Sequence, residues 1–490
     1  MTPPLLSRRW VRVLLVATVV LGIGGALVTY QQFFREEPAP YFESDEDHFL
    51  FGSVGTEAAE GVPYWVWLVL PRLFPDLLPG PGGYAALGVL ARPGSEMPVG
   101  LSKVTIGFPR VGINCAMCHA ASVRLRPDEV PAIVAAAPSH QTAPQGYLRF
   151  LMDAAADRRF TAGNILGEIA KNHRLSFTER LVYRFAIIPA TRRGLLRLRE
   201  QSAWMRTRPE WGRGRIDPFN PVKFRMLRQP IDETIGNSDM VPLWNFGSHS
   251  GYAYHWDGLN TDPREVVMSS AIGDGASMAW VDRDYARWNL TDRREMSSLR
   301  RVMDYISRLQ PPAYPFPVDE RLAAEGGAVF GGECAACHAP GGARFGQVVP
   351  LAEVGTDRHR LEMWTKGSAV AYNAYGEGRE WVFSKFRTTD GYVAVALDGL
   401  WLRGPYLHNG SVPSLADLLE PVERRPAQFW RGYDVIDPVR VGFVSGGAEA
   451  RRVGTFYETS RPGNSNAGHL YGTRLPPDQK RALLEYLKTR

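Results

Sequence analysis

The chain has 490 residues, of which 44% are hydrophobic, 22% charged and 11% aromatic, and its formal net charge is +6. This composition is typical of a packed globular protein and excludes a disordered or fibrous one. The length suits two or three domains better than one.

Residues 1–37 differ from the rest of the chain. A cluster of three arginines precedes a stretch without charged residues over 13–34. About 20 apolar residues span a bilayer, and no small-residue cleavage site follows the stretch, which favours an uncleaved anchor over a signal sequence. Because the basic flank is N-terminal, we expect a single-pass anchor that places residues 38–490 on the periplasmic side of a bacterial inner membrane. Nucleic acid is excluded as a partner, because this side faces away from the cytoplasm.

All four cysteines fall into two matching motifs. Each pair is spaced Cys-x-x-Cys and is followed directly by histidine: Cys115, Cys118 and His119 in the first motif, and Cys334, Cys337 and His338 in the second. Cys-x-x-Cys-His is the attachment signal of c-type haem. Two thiols one helical turn apart bond the haem vinyl groups, and the next residue presents imidazole to the iron. We therefore predict two covalently bound c-type haems, with His119 and His338 as iron ligands.

Other sites that use paired cysteines fit less well. A four-cysteine zinc site does not need histidine after both pairs, and it is more at home in a reducing compartment. A thioredoxin-like redox pair occurs once, near a βαβ pattern. Disulfides between cysteines this close in sequence would close very short loops and stabilise little. Two motifs that use every cysteine, downstream of an export signal, favour haem.

The segments around the second motif predict helices. Apolar residues repeat at intervals of three and four over 291–310, and a proline cluster over 311–315 ends this helix. A short helix over 319–326 leads into the second motif, and residues 478–490 repeat the form of the helix over 291–310. Each haem motif is thus followed, far downstream, by a packing helix.

These patterns predict a mainly α fold with two cytochrome c-like haem domains that carry long loop-rich insertions, after one N-terminal transmembrane helix. The first haem domain covers 38–312 and the second covers 313–490. Loops rich in glycine and proline indicate little regular β-structure. The first domain includes a basic insertion over about 157–228.

The basic insertion holds 17 Lys/Arg against 6 Asp/Glu, which is a net charge of +11. A capping box at Ser176 and Glu179 predicts a helix start, and Pro189 predicts a kink. The arginines form either a solvated helical face or a docking surface for an acidic redox partner or anionic lipid headgroups.

The second axial ligand of each iron decides the function, because two strong protein ligands make an electron carrier and an open side binds O₂ or peroxide. In the second domain the only methionine is Met363, so the candidates are His359, His408 and His469. Glycines beside a histidine let the backbone approach a flat macrocycle closely. The residues alone leave this choice open.

The sequence Arg-Gly-Pro-Tyr-Leu-His-Asn-Gly-Ser over 403–411 resembles the signature of bacterial di-haem cytochrome c peroxidases and their tryptophylquinone-forming relatives. In those proteins a Met or Tyr ligand lies fourteen residues after the histidine, where this chain has Val422, which cannot ligate iron. The chain more closely resembles the rubber oxygenase-like branch of this superfamily. The resemblance covers most of 45–490 and is carried by the segments 51–57, 242–245, 255–258 and 463–469.

In the rubber oxygenase-like branch the C-terminal haem has two histidine ligands, the second of them near the end of the chain. The resemblance therefore favours His469 as the second ligand and makes His408 a contact of that ligand or of a haem propionate. The N-terminal haem of the branch has the open, oxygen-binding face, and the matching region here is 244–258. His255 would ligate the first iron, donate protons to bound oxygen species, or be an ordinary buried histidine.

Together these features predict a membrane-anchored periplasmic oxidoreductase of peroxidase-like or oxygenase-like type. One haem relays electrons, and the other activates O₂ or peroxide. The alternative is a pure electron-transfer cytochrome with two six-coordinate haems. The expected partners are a redox protein or a small electron donor or acceptor. Trp256 and Trp401 lie either between the haems or in the core, and a bound Ca²⁺ is left open.

Overall fold

The computed structural model describes residues 8–249 and 251–490. Helices hold 43% of the chain and strands 11%. The fold is therefore mixed, and the prediction of a mainly α fold is confirmed only in part. Short antiparallel strands occupy segments that were predicted to be irregular loops, because their glycines and prolines mark tight turns between strands as well as loops.

The helices and strands are numbered here in chain order. The helices are α1 (Arg8–Phe33), α2 (Asp45–Phe51), α3 (Tyr64–Leu73), α4 (Pro144–Ala156), α5 (Ala162–Ile169), α6 (Phe177–Val182), α7 (Ile188–Gln201), α8 (Pro263–Asp274), α9 (Met278–Tyr285), α10 (Ser298–Arg308), α11 (Glu320–Glu333), α12 (Ala335–His338), α13 (Leu351–Val354), α14 (His359–Met363), α15 (Lys366–Asn373), α16 (Leu415–Leu418), α17 (Gly447–Val453) and α18 (Pro477–Leu487). The strands are β1 (Val62–Pro63), β2 (Leu101–Ile106), β3 (Phe108–Ile113), β4 (Ala120–Val123), β5 (Ala132–Ala135), β6 (Arg215–Ile216), β7 (Ser238–Asp239), β8 (Val348–Pro350), β9 (Gly391–Val393), β10 (Gln428–Arg431), β11 (Ile436–Asp437), β12 (Gly442–Phe443) and β13 (Thr455–Glu458).

All the paired strands are antiparallel. The largest sheet has three strands in the order β1-β3-β2, and the other sheets are two-stranded ribbons. Strands β2 and β3 form a hairpin in which Ile106 pairs with Phe108 across Gly107. Gly107 has a φ of 72°, a left-handed conformation that glycine adopts without strain.

Helices α11 and α18 cross each other. In the sequence, α11 precedes the second haem motif and α18 follows it. The helices approach so closely at Gly326 that an added Cβ would overlap the carbonyl oxygen of Ala482. Beside this crossing, the rings of Phe330 and Tyr486 lie 5.0 Å apart. Helix α11 begins after the cap Asp319, as predicted, but continues to Glu333, which brings it directly to the cysteines.

Helices α2 and α10 form a similar pair around the first motif. The rings of Phe49 and Tyr305 lie 5.6 Å apart, and Nε2 of His48 lies 3.0 Å from the hydroxyl of Ser298. Helix α10 begins at Ser298 instead of near residue 291, because the Ser297 side chain caps it by accepting a hydrogen bond from Arg300 N–H.

The basic insertion contains helices α5, α6 and α7. The predicted capping box is confirmed, since Ser176 and Glu179 exchange side-chain to backbone hydrogen bonds at the start of α6. A π-helical turn over Tyr183–Ile187 joins α6 to α7 and lies directly before Pro189. Proline has no N–H to donate, so the irregular hydrogen bonding that its position predicted is found in this turn.

One apolar core contains residues from both sides of the predicted domain boundary, including Phe49, Trp244, Phe330 and Leu483. The boundary segment over 309–319 has neither helix nor strand. The two halves of the chain are therefore packed against each other, which brings the two haem motifs into one body.

Helix α1 has the properties of a membrane anchor or a signal sequence. Its stretch Trp10–Gln31 is apolar and long enough to cross a bilayer, and none of it is buried against the rest of the protein.

We predict that Gly326→Ala destabilises the protein by about 1–3 kcal/mol, because the methyl group must push α11 away from α18. Gly331→Ala in the same helix is the control, since nothing lies within 4 Å of an added Cβ there. It should be neutral or stabilise by about 0.5–1 kcal/mol. Thermal unfolding measured by circular dichroism compares the two, and equal effects would show that α11 and α18 are not in close contact.

Candidate functional site

A large cavity, here called the C-terminal cavity, borders the second haem motif and comprises about 1280 Å³ of space between atoms, part of it open to solvent. Its wall contains Cys334, Cys337 and His338 together with His408 and His469. Most of the remaining wall is apolar: Val349, Val354, Leu397, Leu400, Leu415, Leu418, Leu419, Leu483 and Leu487. A wide apolar chamber with a few polar groups is what a flat macrocycle requires.

A second cavity of about 960 Å³, here called the N-terminal cavity, contains His119 of the first motif. Its wall also holds His249, His255 and Trp244. Cys115 begins a short 3₁₀ turn, Cys115–Met117, which is capped by the side chain of Asn114 and is followed by Cys118. Both motifs thus present their histidine to a cavity.

The two motif histidines are oriented in the same way. Nδ1 of His119 lies 2.8 Å from the carbonyl oxygen of Val241, and Nδ1 of His338 lies 2.8 Å from the carbonyl oxygen of Val395. A carbonyl only accepts hydrogen bonds, so each Nδ1 donates and each Nε2 keeps its lone pair. Burial lowers the pKa of His119 to about 4, so its ring is neutral. Both histidines are therefore in the form that binds a metal ion through Nε2.

His469 faces His338 in the C-terminal cavity. The ring centroids lie 6.1 Å apart. Two imidazoles bound to one metal ion, each at about 2 Å from nitrogen to metal, place their centroids roughly 6 Å apart. This spacing fits two histidine ligands on one iron.

The backbone around His469 is held in an unusual conformation. His469 has a φ of 48°, and Gly468, with a φ of 78°, packs directly against the backbone of Gly355. Nδ1 of His469 is buried and has no hydrogen-bond partner among the described residues. The Arg425 guanidinium donates instead to the carbonyl oxygens of Asn466, Gly468 and His469, at 2.6, 2.8 and 3.2 Å. Arg425 therefore positions the candidate ligand His469 by holding the backbone of residues 466–469.

His408 shares the C-terminal cavity but is not paired with His338. Its ring stacks on Tyr392 at 3.9 Å. The loop that contains His408 is fixed by the next residue, Asn409, whose side-chain amide donates to the carbonyl oxygens of Gly463 and Ser465. The third candidate, His359, contacts the Asp357 carboxylate instead and does not line the cavity.

His255 lines the N-terminal cavity. It has a φ of 65°, and burial followed by the charge of Arg360 lowers its pKa to about 3. Its Nε2 is buried and has no hydrogen-bond partner in the part of the chain that the structure describes. The ring of Phe219 lies edge-on to it at 5.5 Å.

Sequence reasoning missed His249, which lines the same cavity. Its ring lies 5.0 Å from that of Phe345. Gly247 and Gly251 lie two residues before and after His249, and Gly468 directly precedes His469. A histidine with glycines close by in the sequence was therefore the pattern that could have identified His249.

The two cavities share part of a wall. Trp256, Val395 and Arg403 line both of them. Nε1 of Trp256 donates to the carbonyl oxygen of Asp239 at 2.8 Å, which fixes the indole between the chambers. Trp401 lines neither cavity; its Nε1 donates to the carbonyl oxygen of Pro312 in the segment between the two halves.

The four cysteines form no disulfide. No cluster of three or more His, Cys, Asp or Glu side chains that could hold a metal ion occurs in residues 8–249 and 251–490. A bound Ca²⁺, which the sequence left open, is therefore not supported by the described residues.

Residues 391–431 match a family model described as RoxA-like, cytochrome c-like. This match supports a RoxA-like cytochrome. The matched segment includes Val395, Arg403 and His408, and so contributes to the walls of both cavities. A cytochrome c-like segment implies covalently bound haem. Membership of the wider di-haem peroxidase superfamily stays a prediction.

Two curated relatives come from Sinorhizobium fredii (strain NBRC 101917 / NGR234). The chain is 32% identical over 233 residues to the uncharacterized protein y4iM, and the alignment covers 39% of this chain and 53% of that protein. It is 28% identical over 249 residues to the uncharacterized protein y4iJ, covering 37% of this chain and 41% of that protein. The chain thus spans about half the length, or less, of these relatives.

We predict that Arg425→Met destabilises the protein by about 2–4 kcal/mol, because it leaves buried carbonyl groups without a donor. The absorption spectrum of the haem bound at His338 should change in parallel, since His469 is no longer held. The neighbouring Arg424 side chain is 76% exposed, so Arg424→Met should stay within about 0.5 kcal/mol of the unchanged protein. A stable Arg425→Met protein with an unchanged spectrum would refute the positioning role.

Proposed function

We propose that this protein is a membrane-anchored periplasmic di-haem c-type cytochrome that acts as an oxidoreductase. The proposal is carried by the difference between the cavities. His338 faces His469 at 6.1 Å. Among the described residues, no imidazole faces His119 at the spacing found between His338 and His469.

The residues that would hold the haems fit that role. Cys115, Cys118 and His119 would hold the first haem, and Cys334, Cys337, His338 and His469 the second. Haem iron with two histidine ligands transfers electrons, and haem iron with an accessible side binds and activates O₂ or peroxide. The C-terminal site is therefore assigned to electron relay and the N-terminal site to the reaction with O₂ or peroxide.

His255 is the proposed catalytic residue of the N-terminal cavity. Its unpaired Nε2 is the only buried ring nitrogen of that wall without a partner in the described part of the chain. A neutral imidazole on the wall of this cavity can hold a proton at one ring nitrogen and accept another at the ring nitrogen that faces the cavity. His255 would thus bind and orient a small oxygen-containing ligand and exchange a proton with it.

The shared wall supports transfer between the two sites. Trp256 lines both cavities and would supply an aromatic ring on the direct route for electrons between the two haem sites. The Arg403 guanidinium is buried, which lowers its pKa, and it forms no ion pair within the described residues. A buried cation needs an anionic partner, and a haem propionate would provide one. His408, on the wall of the C-terminal cavity, is the other proposed propionate contact.

The electron source would be a redox protein or a small electron donor, and the position of α1 supports a periplasmic location. One observation favours a second candidate function, that of a pure electron-transfer cytochrome. Both His249 and His255 line the N-terminal cavity, and either of them moving onto the iron would give two six-coordinate haems.

We predict that the purified protein binds two haems per chain, measured as the alkaline pyridine derivative. Replacing Cys115 and Cys118 together by alanine, or Cys334 and Cys337 together, should leave one covalent haem in each case. The two double variants control for each other, because each removes the thiols of one haem motif only. A chain with one haem, or with haem lost completely on acid–acetone extraction, would contradict the proposal.

We also predict that His469→Ala converts the second haem from low spin to high spin in the electron paramagnetic resonance spectrum, because the facing imidazole is lost. His408→Ala changes another histidine on the same cavity wall and should keep the low-spin signal. If His408→Ala removes this signal and His469→Ala does not, the ligand assignment is wrong.

A further inference from the structure

An exposed apolar face runs along α6 and the π-helical turn after it. Phe177 is 75% exposed, Leu181 41% and Phe185 71%. Residues four apart lie on the same side of a helix, so these three side chains form one row. Exposed aromatic rings grouped in this way mark an interaction surface more often than a solvated one.

Arginines accompany this row. Arg180 and Arg184 alternate with the apolar residues, and the Arg184 guanidinium lies 5.7 Å from the centre of the Phe185 ring. Both arginines are exposed, and neither forms an ion pair with any described residue. We call Phe177, Arg180, Leu181, Arg184 and Phe185 the Phe/Arg face. It belongs to the segment 157–228, whose net charge is +11.

The Phe/Arg face lies next to the point where α1 leaves the folded body. Gly107 N–H donates to the carbonyl oxygen of Arg35 at 2.7 Å, and Glu37 N–H donates to that of Thr105 at 2.9 Å. The end of α1 is thus joined to the tip of the β2–β3 hairpin. On that tip the ring of Phe108 meets the ring of Tyr183 edge-on at 6.4 Å, and Tyr183 is the first residue of the π-helical turn.

We propose, on the basis of the membrane anchor in the proposed function, that the Phe/Arg face lies on the surface of the bilayer that α1 enters and binds anionic lipid there. An amphipathic helix with aromatic residues and arginines on one face binds at the boundary of headgroups and acyl chains. The hydrogen bonds between the end of α1 and the hairpin, together with the contact of Phe108 with Tyr183, hold the face close to that boundary. An acidic protein partner would satisfy the arginines, but it would not explain why the face lies beside the anchor.

This contact would fix the orientation of the protein on the membrane. One connection, α1, leaves the body free to rotate about the anchor, whereas a second contact beside it removes that freedom. The faces through which the cavities meet their redox partners would then have a constant position relative to the bilayer.

The test uses the full chain in lipid nanodiscs and photochemical carbene labelling, which reports side-chain exposure by mass spectrometry. In discs that contain phosphatidylglycerol, the peptide with Phe177, Leu181 and Phe185 should be labelled several-fold less than in detergent-free discs of phosphatidylcholine alone. Val439, which is 75% exposed, is the internal control and should be labelled equally in both.

The double variant Arg180→Glu/Arg184→Glu should restore labelling of the face in the phosphatidylglycerol discs. Arg474→Glu/Arg481→Glu makes the same change of charge at two exposed arginines of the C-terminal region and should leave the protection intact. Full labelling of the face on both lipids would overturn the proposal and leave the face to a protein partner. Protection that survives Arg180→Glu/Arg184→Glu would overturn the assignment to anionic lipid.

Discussion

The hydrogen bonds from Nδ1 of His119 and of His338 to two backbone carbonyl groups determine what both cavities can bind. An imidazole that donates from Nδ1 has its lone pair on Nε2, and the acceptor makes that nitrogen more basic. The acceptors, Val241 and Val395, lie far along the chain from the motifs they orient. Attachment at the cysteines therefore gives an ordered site only after the whole body has folded around it.

Val395 also connects the two cavities. The carbonyl group of Val395 orients His338, and Val395 also lines the N-terminal cavity. Trp256 and Arg403 share this double position. A change of ligand or charge in one chamber thus acts directly on groups that form the wall of the other. This arrangement suits two redox centres that work together, one as the source of electrons and the other as the place where they are used.

The motifs and the helices beside them were accessible from the sequence, because both depend on local spacing. The pairing of His469 with His338 came from a resemblance, since the pattern of residues left His408 and His359 equally open. The flanking glycines were the one sequence signal for His249, and the sequence left Trp256 either between the haems or in the core. The structure was needed for both positions, because a cavity wall is assembled from distant segments. The strands were underestimated for a related reason: they are two to six residues long, too short for an alternating pattern to be recognised.

The central claim is that the two haem sites differ in their ligands. Titration of the dithionite-reduced protein with carbon monoxide tests it most directly, because CO binds only to haem iron with an exchangeable ligand position. One CO should bind for every two haems, and the binding site should be retained in a variant that lacks Cys334 and Cys337. Binding of no CO would indicate two closed haems and electron transfer alone. Binding of two would contradict the role of His469.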